Sequence, residues 1–382
     1  MEKAKTAVAF SKTDSMCLKG LAIVLLMCIH CFGSTSRFAG FEFNFWPLSQ
    51  DLYVDLAYYC KICVSIFAFI SGYGLYLSAK NKVEDLNTIN KWTVSRCFKT
   101  LSGFWYWYII CFVVIFFYNG LPKKIYFGDG IVRGSVYMLI DFLGLAELCG
   151  TPVLSGSWWY MSAAVVYIAL IPLVVRWTKK WGWFSLFSAI VIIPRILFNS
   201  DFFGASNIFT FFFPVYFGAL FAEFKIFEKI EEFSLLKNKK LNEILLLCLG
   251  VVTVLVSIYI WIRVPYKVLW EFHFGVAPVI LIVFFNRFVF RQGGFLRKNV
   301  CKFFFFLGKH SMNMYIFHTL LREQILKEFL YSMKYPILTI LSLLFISLAI
   351  SVVFDFVKKL IKYDKLIGLL ENRVLSLFFS KA

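Results

Sequence analysis

The sequence predicts an all-α fold, a polytopic integral membrane helical bundle of about ten transmembrane helices with both termini cytoplasmic. Three observations predict it. The 382 residues are 60% hydrophobic and only 16% charged, with a mean hydropathy of +0.75. A water-soluble domain is nearer half apolar and a quarter charged, so most of this surface must face lipid. The apolar residues gather into windows close to the length that a helix needs to cross about 30 Å of hydrocarbon. Lys and Arg alternate in density from one connecting loop to the next.

The windows run, in order, over 18–33, 56–79, 100–119, 157–177, 182–199, 208–223, 241–262, 268–290, 303–320 and 335–357. A weaker segment, 131–147, carries Asp141 and is short for a span, so it reads as an interfacial or re-entrant helix. Ten spans return the chain to the side on which it starts. The loops on that side hold 28 of the 40 basic residues and the opposite loops hold 9; Lys61, Arg195 and Lys309 fall inside spans. The basic side is the cytoplasmic one. An eleventh span at 131–147 reverses every later loop and destroys the asymmetry. The net charge of +18 is therefore mainly a topology signal, and no basic patch suited to nucleic acid forms.

Loops 83–90 and 228–242 read as polar cytoplasmic connections, and the longest loop, 120–156, is too short for a separate folded domain. Residues 1–382 thus read as a single membrane domain. The Lys-rich start resembles a signal peptide, but no small-residue cleavage site follows Gly33, so the first window reads as an uncleaved span.

Ionisable groups inside spans are costly and mark candidate sites. The first span places Lys19 and His30 eleven residues apart, almost three whole turns, so both lie on one face about 16 Å apart along the axis. A snorkelling lysine and a hydrogen-bonded structural histidine explain the same pattern. The ten cysteines include C-I-H-C at 28–31 and C-K-I-C at 60–63. In apolar helix that spacing repeats a face, so no metal is predicted.

Further landmarks follow in order: I-F-A-F-I-S-G-Y-G-L-Y-L-S containing Ser71, Gly72 and Tyr73; S-R-C-F-K-T-L-S-G-F-W-Y-W with Arg96 and Lys99; S-G-S-W-W-Y-M-S-A-A-V-V-Y-I-A-L-I-P opening at Ser155; and F-L-G-K-H-S-M-N-M-Y-I-F-H ending at His318. With the basic residue, ten residues and histidine of the first span, this series resembles the acyltransferase 3 family, membrane enzymes that move acyl groups, usually acetyl, onto sugars and related acceptors. The family's usual ten spans agree with the count above. Lys99 stands where the family commonly has a second arginine, and residues 161–166 lack the glutamate pair that many members carry.

The resemblance implies an O-acyltransferase of the bacterial cytoplasmic membrane, with membrane lipid, an acyl-CoA donor and a glycan acceptor as partners. Acetyl, or another acyl group, passes from cytoplasmic acetyl-CoA to a hydroxyl of a cell-surface polysaccharide or lipid-linked glycan. His30 is the expected base or acyl carrier, because a neutral imidazole is tolerated inside a span. His318 is the alternative base; spans one and nine run in the same direction, so both histidines lie toward the outer half. Arg96 and Lys99, three apart at the cytoplasmic end of the third span, form a phosphate clamp, although positive-inside bias also puts cations there. Lys19 holds the pantetheine end or orders His30 through water. Trp158, Trp159, Trp270, Glu271 and His273, at outer span ends, face the acceptor, although an aromatic belt explains the tryptophans as well. A glycan or lipid-precursor transporter or flippase competes with this reading, but the two halves show no pairing. A catalytically lapsed scaffold is a third reading.

Overall fold

The protein is described here by a computed structural model covering residues 10–197, 208–290 and 295–379. The last two residues of the fifth predicted span, and positions 1–9, 291–294 and 380–382 of the predicted cytoplasmic segments, lie outside the described residues. Among the described residues every regular element is a helix.

Helix α1 (Lys12–Phe32) begins at a reciprocal cap: the Asp14 carboxylate accepts from the Ser11 backbone at 2.8 Å, and the Ser11 hydroxyl accepts from the Asp14 backbone at 3.2 Å. Helices α2 (Gln50–Tyr59) and α3 (Ile62–Ala79) together form the second predicted span. Helix α4 (Leu86–Asn119) starts inside the expected loop 83–90, because Asp85 caps it by accepting from the Asn87 and Thr88 backbone at 3.3 and 2.8 Å. It stops at Gly120, which takes a left-handed φ of 67°. After α5 (Leu121–Tyr126), the segment 131–147 is not one helix. Helix α6 (Ile131–Phe142) ends just before Gly144, whose φ of 69° breaks the run. At 12 residues, α6 is too short to cross a bilayer.

Helix α7 (Trp159–Phe187) is interrupted at Gly182 (φ 82°, ψ 169°), the first residue of the fifth predicted span. Then come α8 (Phe212–Glu223) and α9 (Lys239–Arg263), the latter opened by the Asn238 side chain within the expected loop 228–242. Helix α10 (Phe272–Phe290) is π-helical at both ends. Helix α11 (Phe295–Leu320) passes directly into a π segment, Leu321–Ile325. The chain continues through α12 (Lys327–Tyr331), α13 (Pro336–Leu360) and α14 (Tyr363–Phe378).

Seven stretches among the described residues are long and apolar enough to cross a membrane: Lys12–Phe32, Gln50–Ala79, Leu86–Asn119, Gly156–Leu197, Lys239–Arg263, Phe272–Phe290 and Pro336–Leu360. Their surfaces suit lipid. Along α9, Leu241, Ile244, Val252, Leu255 and Tyr259 are each more than half exposed, a liability in water and the expected state in hydrocarbon.

The chain divides into two compact units, the first formed by Met1–Ile29, Asp51–Leu77 and Trp181–Lys309, the second by His30–Gln50, Ser78–Lys180 and His310–Ala382. In the first unit helices meet backbone to backbone at glycines. A Cβ on Gly20 would stand 2.0 Å from the Phe304 carbonyl oxygen, and one on Gly308 would stand 1.9 Å from that of Met16. Helices α3 and α8 repeat the device, with Gly72 against Val215 and Gly218 against Phe69 at 2.2 and 2.1 Å. Phe10 closes this unit's core by stacking on Phe227 at 4.4 Å.

In the second unit, the Trp158 indole donates to the Ile316 carbonyl at 2.6 Å while the Tyr315 hydroxyl donates to the Ser157 carbonyl. This double clasp holds the start of α7 against α11. Trp107 packs between Phe317 and Phe354, at ring centroid distances of 4.5 and 5.2 Å. Asp141, 1% exposed near the end of α6, accepts from the Tyr126 hydroxyl and from the Leu154 backbone at 2.9 Å. Burial pushes its carboxyl up to about 6 against the pull of these donors.

Two outcomes test this packing. Gly72→Ala forces a backbone shift, with an expected cost of about 1–3 kcal/mol and a lower melting temperature in detergent. Gly74→Ala, with nothing within 4 Å of its Cβ, is neutral or slightly stabilising, so equal effects from the two would refute the close approach. The Asp141 carboxyl ionises near pH 4 when unfolded and near 6 when folded, so its contribution is full below about pH 4 and lost as pH rises through 6. Asp141→Asn should flatten the melting temperature between pH 4 and 7 and raise it at pH 7.5. An unchanged pH slope would contradict the assignment.

Candidate active site

Helices α1 and α11 carry the two histidines that the sequence singles out, and both residues belong to the second unit. The His30 and His318 rings meet edge to face, with centroids 4.6 Å apart and planes at 81°. They differ in access: His30 is half-buried, whereas His318 is fully buried. His318 lies against its own helix backbone, with Nδ1 2.8 Å from the Tyr315 carbonyl and 3.1 Å from that of Met314. Carbonyls only accept, so Nδ1 carries the hydrogen, and Nε2 accepts from the Thr319 hydroxyl at 3.1 Å. His318 is thus a fixed ring, and the more accessible His30 stands beside it.

The expected donor residues lie along α4. Arg96 is exposed, with its guanidinium carbon 5.9 Å from the Trp92 ring centre. Lys99 is also exposed and pairs with Glu371 of α14 at 3.6 Å, and the same carboxylate accepts from Ser95 at 2.5 Å. The lysine end of this pair is exposed and the glutamate end mostly buried, at 61% and 14% side-chain exposure. Lys19 lies half-buried in the first unit, next in sequence to the Gly20 contact.

Of the residues expected to face an acceptor, Trp158 is only 2% exposed and committed to its hydrogen bond with Ile316, so its role is to fix α7 on α11. Trp159, the next residue, remains half-exposed. In the first unit Glu271 pairs with Arg195 at 3.3 Å, and Arg195 also donates to the Val268 carbonyl at 2.7 Å. His273 is 1% exposed, with Nδ1 2.7 Å from the Leu269 carbonyl and its ring 4.7 Å from that of Trp261.

Two groups in the second unit escape sequence reasoning. Arg322, 4% exposed, donates through one terminal nitrogen to the Tyr331 hydroxyl at 3.1 Å and pairs through the other with Glu323. Tyr331 in turn donates to the Cys31 carbonyl at 3.1 Å, one residue past His30. Arg37, in the 3₁₀ turn Thr35–Phe38, stands beside Arg322; burial first, then that neighbouring charge, lower its ionisation below the ordinary arginine value. The only available signal was that both arginines fall in the minority of basic residues on the predicted outer side.

The second group joins α11 to α13. His310 Nδ1 lies 2.9 Å from the Ser351 hydroxyl and 3.1 Å from the Asp355 carboxylate, while Asn313 donates to both at 2.9 and 2.8 Å. A buried, mutually satisfied polar set of this kind fixes one helix register. Close by in sequence, Phe317 lines an apolar cavity of about 170 Å³ with Trp107, Cys111, Leu320, Ile350 and Phe354, walls that offer little to a phosphate or sugar.

No curated protein and no solved structure matches the chain. A family model described as an acyltransferase domain matches residues 16–356, a stretch that contains Lys19, His30, Arg96, Lys99 and His318. A match over nearly the whole length of this multi-pass helical chain shows that it belongs to the acyltransferase 3 family.

Proposed function

We propose that this membrane acyltransferase is an O-acetyltransferase, moving acetyl from cytoplasmic acetyl-CoA to a hydroxyl of a cell-surface polysaccharide or lipid-linked glycan. The observation that carries the reading is the His30–His318 ring pair within the acyltransferase domain. The setting is a single domain of ten spans with cytoplasmic termini in a bacterial plasma membrane. Its support is the 28-to-9 division of basic residues together with the helices themselves. The break at Gly182 divides one long apolar stretch in two, α8 is a short apolar helix, and α11 has the length but is diluted by Lys298, Lys302, Lys309, His310 and Asn313.

An acyl-CoA donor supplies a thioester carbonyl and a thiolate leaving group. Arg96 and Lys99, cationic and exposed on α4, suit its phosphates, and Lys19 is the candidate for the pantetheine end. His30 takes the acceptor hydroxyl proton as the oxygen attacks the thioester carbon, then returns that proton to the departing sulfur. His318, pinned by its helix carbonyl, holds the His30 ring in position. Trp159 of the second unit and Glu271 and His273 of the first remain candidate acceptor contacts, while Trp158 holds α7 on α11.

Membranes containing the protein should transfer labelled acetyl from acetyl-CoA, and His30→Ala should reduce this by about 10²–10⁴-fold, the usual worth of a general base, while still inserting. Normal transfer by that variant would remove His30 from the mechanism. Arg96→Ala should raise the KM for acetyl-CoA by on the order of tenfold, with kcat little changed. Glu371→Gln, which releases Lys99 from its carboxylate, should lower that KM and steepen its dependence on salt. Donor kinetics unmoved by both substitutions would place the CoA site elsewhere.

A further inference from the structure

Helix α14 (Tyr363–Phe378) presents three faces. On the first, Tyr363, Ile367, Glu371 and Val374 recur at helical spacing and are half-buried where the helix packs on α4 and α13. The Tyr363 hydroxyl donates to the Ser102 carbonyl at 2.7 Å, its ring lies 5.1 Å from that of Tyr106, and Glu371 meets Ser95 and Lys99. On the second, Lys365, Asn372 and Ser376 are exposed and polar. The third carries Leu366, Leu370 and Leu377, all exposed, with Arg373 set among them. At 16 residues, four of them charged, α14 is too short and too polar to cross a bilayer, so this leucine stripe is not part of a span.

The depth of α14 follows from its contacts. Ser102 lies just inside the third predicted span, and Ser95 and Lys99 lie just before it. Helix α14 also follows α13 after a single bend. Leu360, the last residue of α13, and Ile361 are exposed, and Lys362 then takes a left-handed φ of 54° that redirects the chain. The stripe is therefore carried at the edge of the hydrocarbon, on the side that the basic-residue count makes cytoplasmic.

Charge decides what covers it. From 358 to 378 the chain holds five cations and two acids. Both acids are spent inside the protein, Asp364 on Lys358 at 2.8 Å and Glu371 on Lys99. Lys359, Lys362, Lys365 and Arg373 are exposed. An apolar stripe bordered by cations suits a helix lying in a headgroup layer, where leucines reach the acyl boundary and long basic side chains snorkel to phosphate. A second copy of the chain would instead set like charges face to face across the same stripe.

We propose that α14 docks on the anionic phospholipid surface of its own membrane, with Leu366, Leu370 and Leu377 at the acyl boundary and Lys362 and Arg373 on headgroup phosphates. Docking fixes the helix that carries Glu371, so the carboxylate beside Lys99 is held by lipid as well as by protein. The ligand is the bilayer itself, and the surface stands apart from the acyltransfer reading.

The test uses the full chain in nanodiscs of phosphatidylcholine alone or mixed with phosphatidylglycerol. A photoreactive benzoylphenylalanine replacing Leu370 should crosslink to lipid, and the same residue replacing Asn372 should not. Backbone hydrogen exchange across 363–378 should be slower in the mixed discs by on the order of tenfold, and raised salt should remove the difference. Lys362→Gln combined with Arg373→Gln should also remove it while exchange across α13 stays unchanged, which separates lost docking from a misfolded bundle. Equal lipid adducts from both positions, adducts with a second copy of the chain, or exchange that ignores lipid charge overturn the proposal.

Discussion

Backbone touches backbone where α1 crosses α11, and the packing of the first unit depends on that contact. Lipid tails are as apolar as leucine, so helices in a membrane gain little from hiding apolar surface and associate through close packing and polar contacts. Gly20 and Gly308 supply the packing: each lets the facing helix approach until its carbonyl occupies the space of a missing Cβ. Each glycine also stands ten residues before the histidine of its own helix, Gly20 before His30 and Gly308 before His318. Conformational freedom is not the reason for glycine at these positions; volume is.

The polar contacts do complementary work. Helix α11 is the most hydrophilic of the long helices, and its polar residues are spent inward: His310 and Asn313 on Ser351 and Asp355, Tyr315 on Ser157, His318 on its own carbonyls. A lipid-exposed helix could not carry them. The same residues explain why α11 fails a simple test of hydropathy although its last eleven residues, 310–320, pack within the second unit. The π segment that follows continues the pattern by turning a fifth polar side chain, Arg322, out of water.

The all-helical, multi-pass character was legible in the sequence because hydropathy windows report directly on a slab of fixed thickness. The spacing of Lys19 and His30 was legible for a similar reason, since helix geometry converts sequence distance into a face. What stayed hidden depends on the return of the chain. Arg37 and Arg322 read as ordinary outer-loop cations until a 3₁₀ turn after α1 and a π segment after α11 bring them together. Trp158 read as part of an interfacial belt, because nothing local announces that its indole reaches the carbonyl of Ile316, 158 residues away. His310 was passed over in the shadow of His318, its acidic partner lying one helix further on. The loops at 83–90 and 228–242 were read too long because Asp85 and Asn238 are as common in turns as at helix starts, and only the accepted backbone hydrogens distinguish the two.

The pairing of Lys99 with Glu371 has an evolutionary corollary. The family match ends at residue 356, and Glu371 lies past it, on an amphipathic helix with no fully buried residue. The electrostatic potential along the start of α4 is accordingly set in part by a segment that the shared domain does not constrain. Mutational drift there can strengthen or mute the attraction for polyanions without disturbing a single span, so that lineages with the same bundle can diverge in salt tolerance through a tail alone.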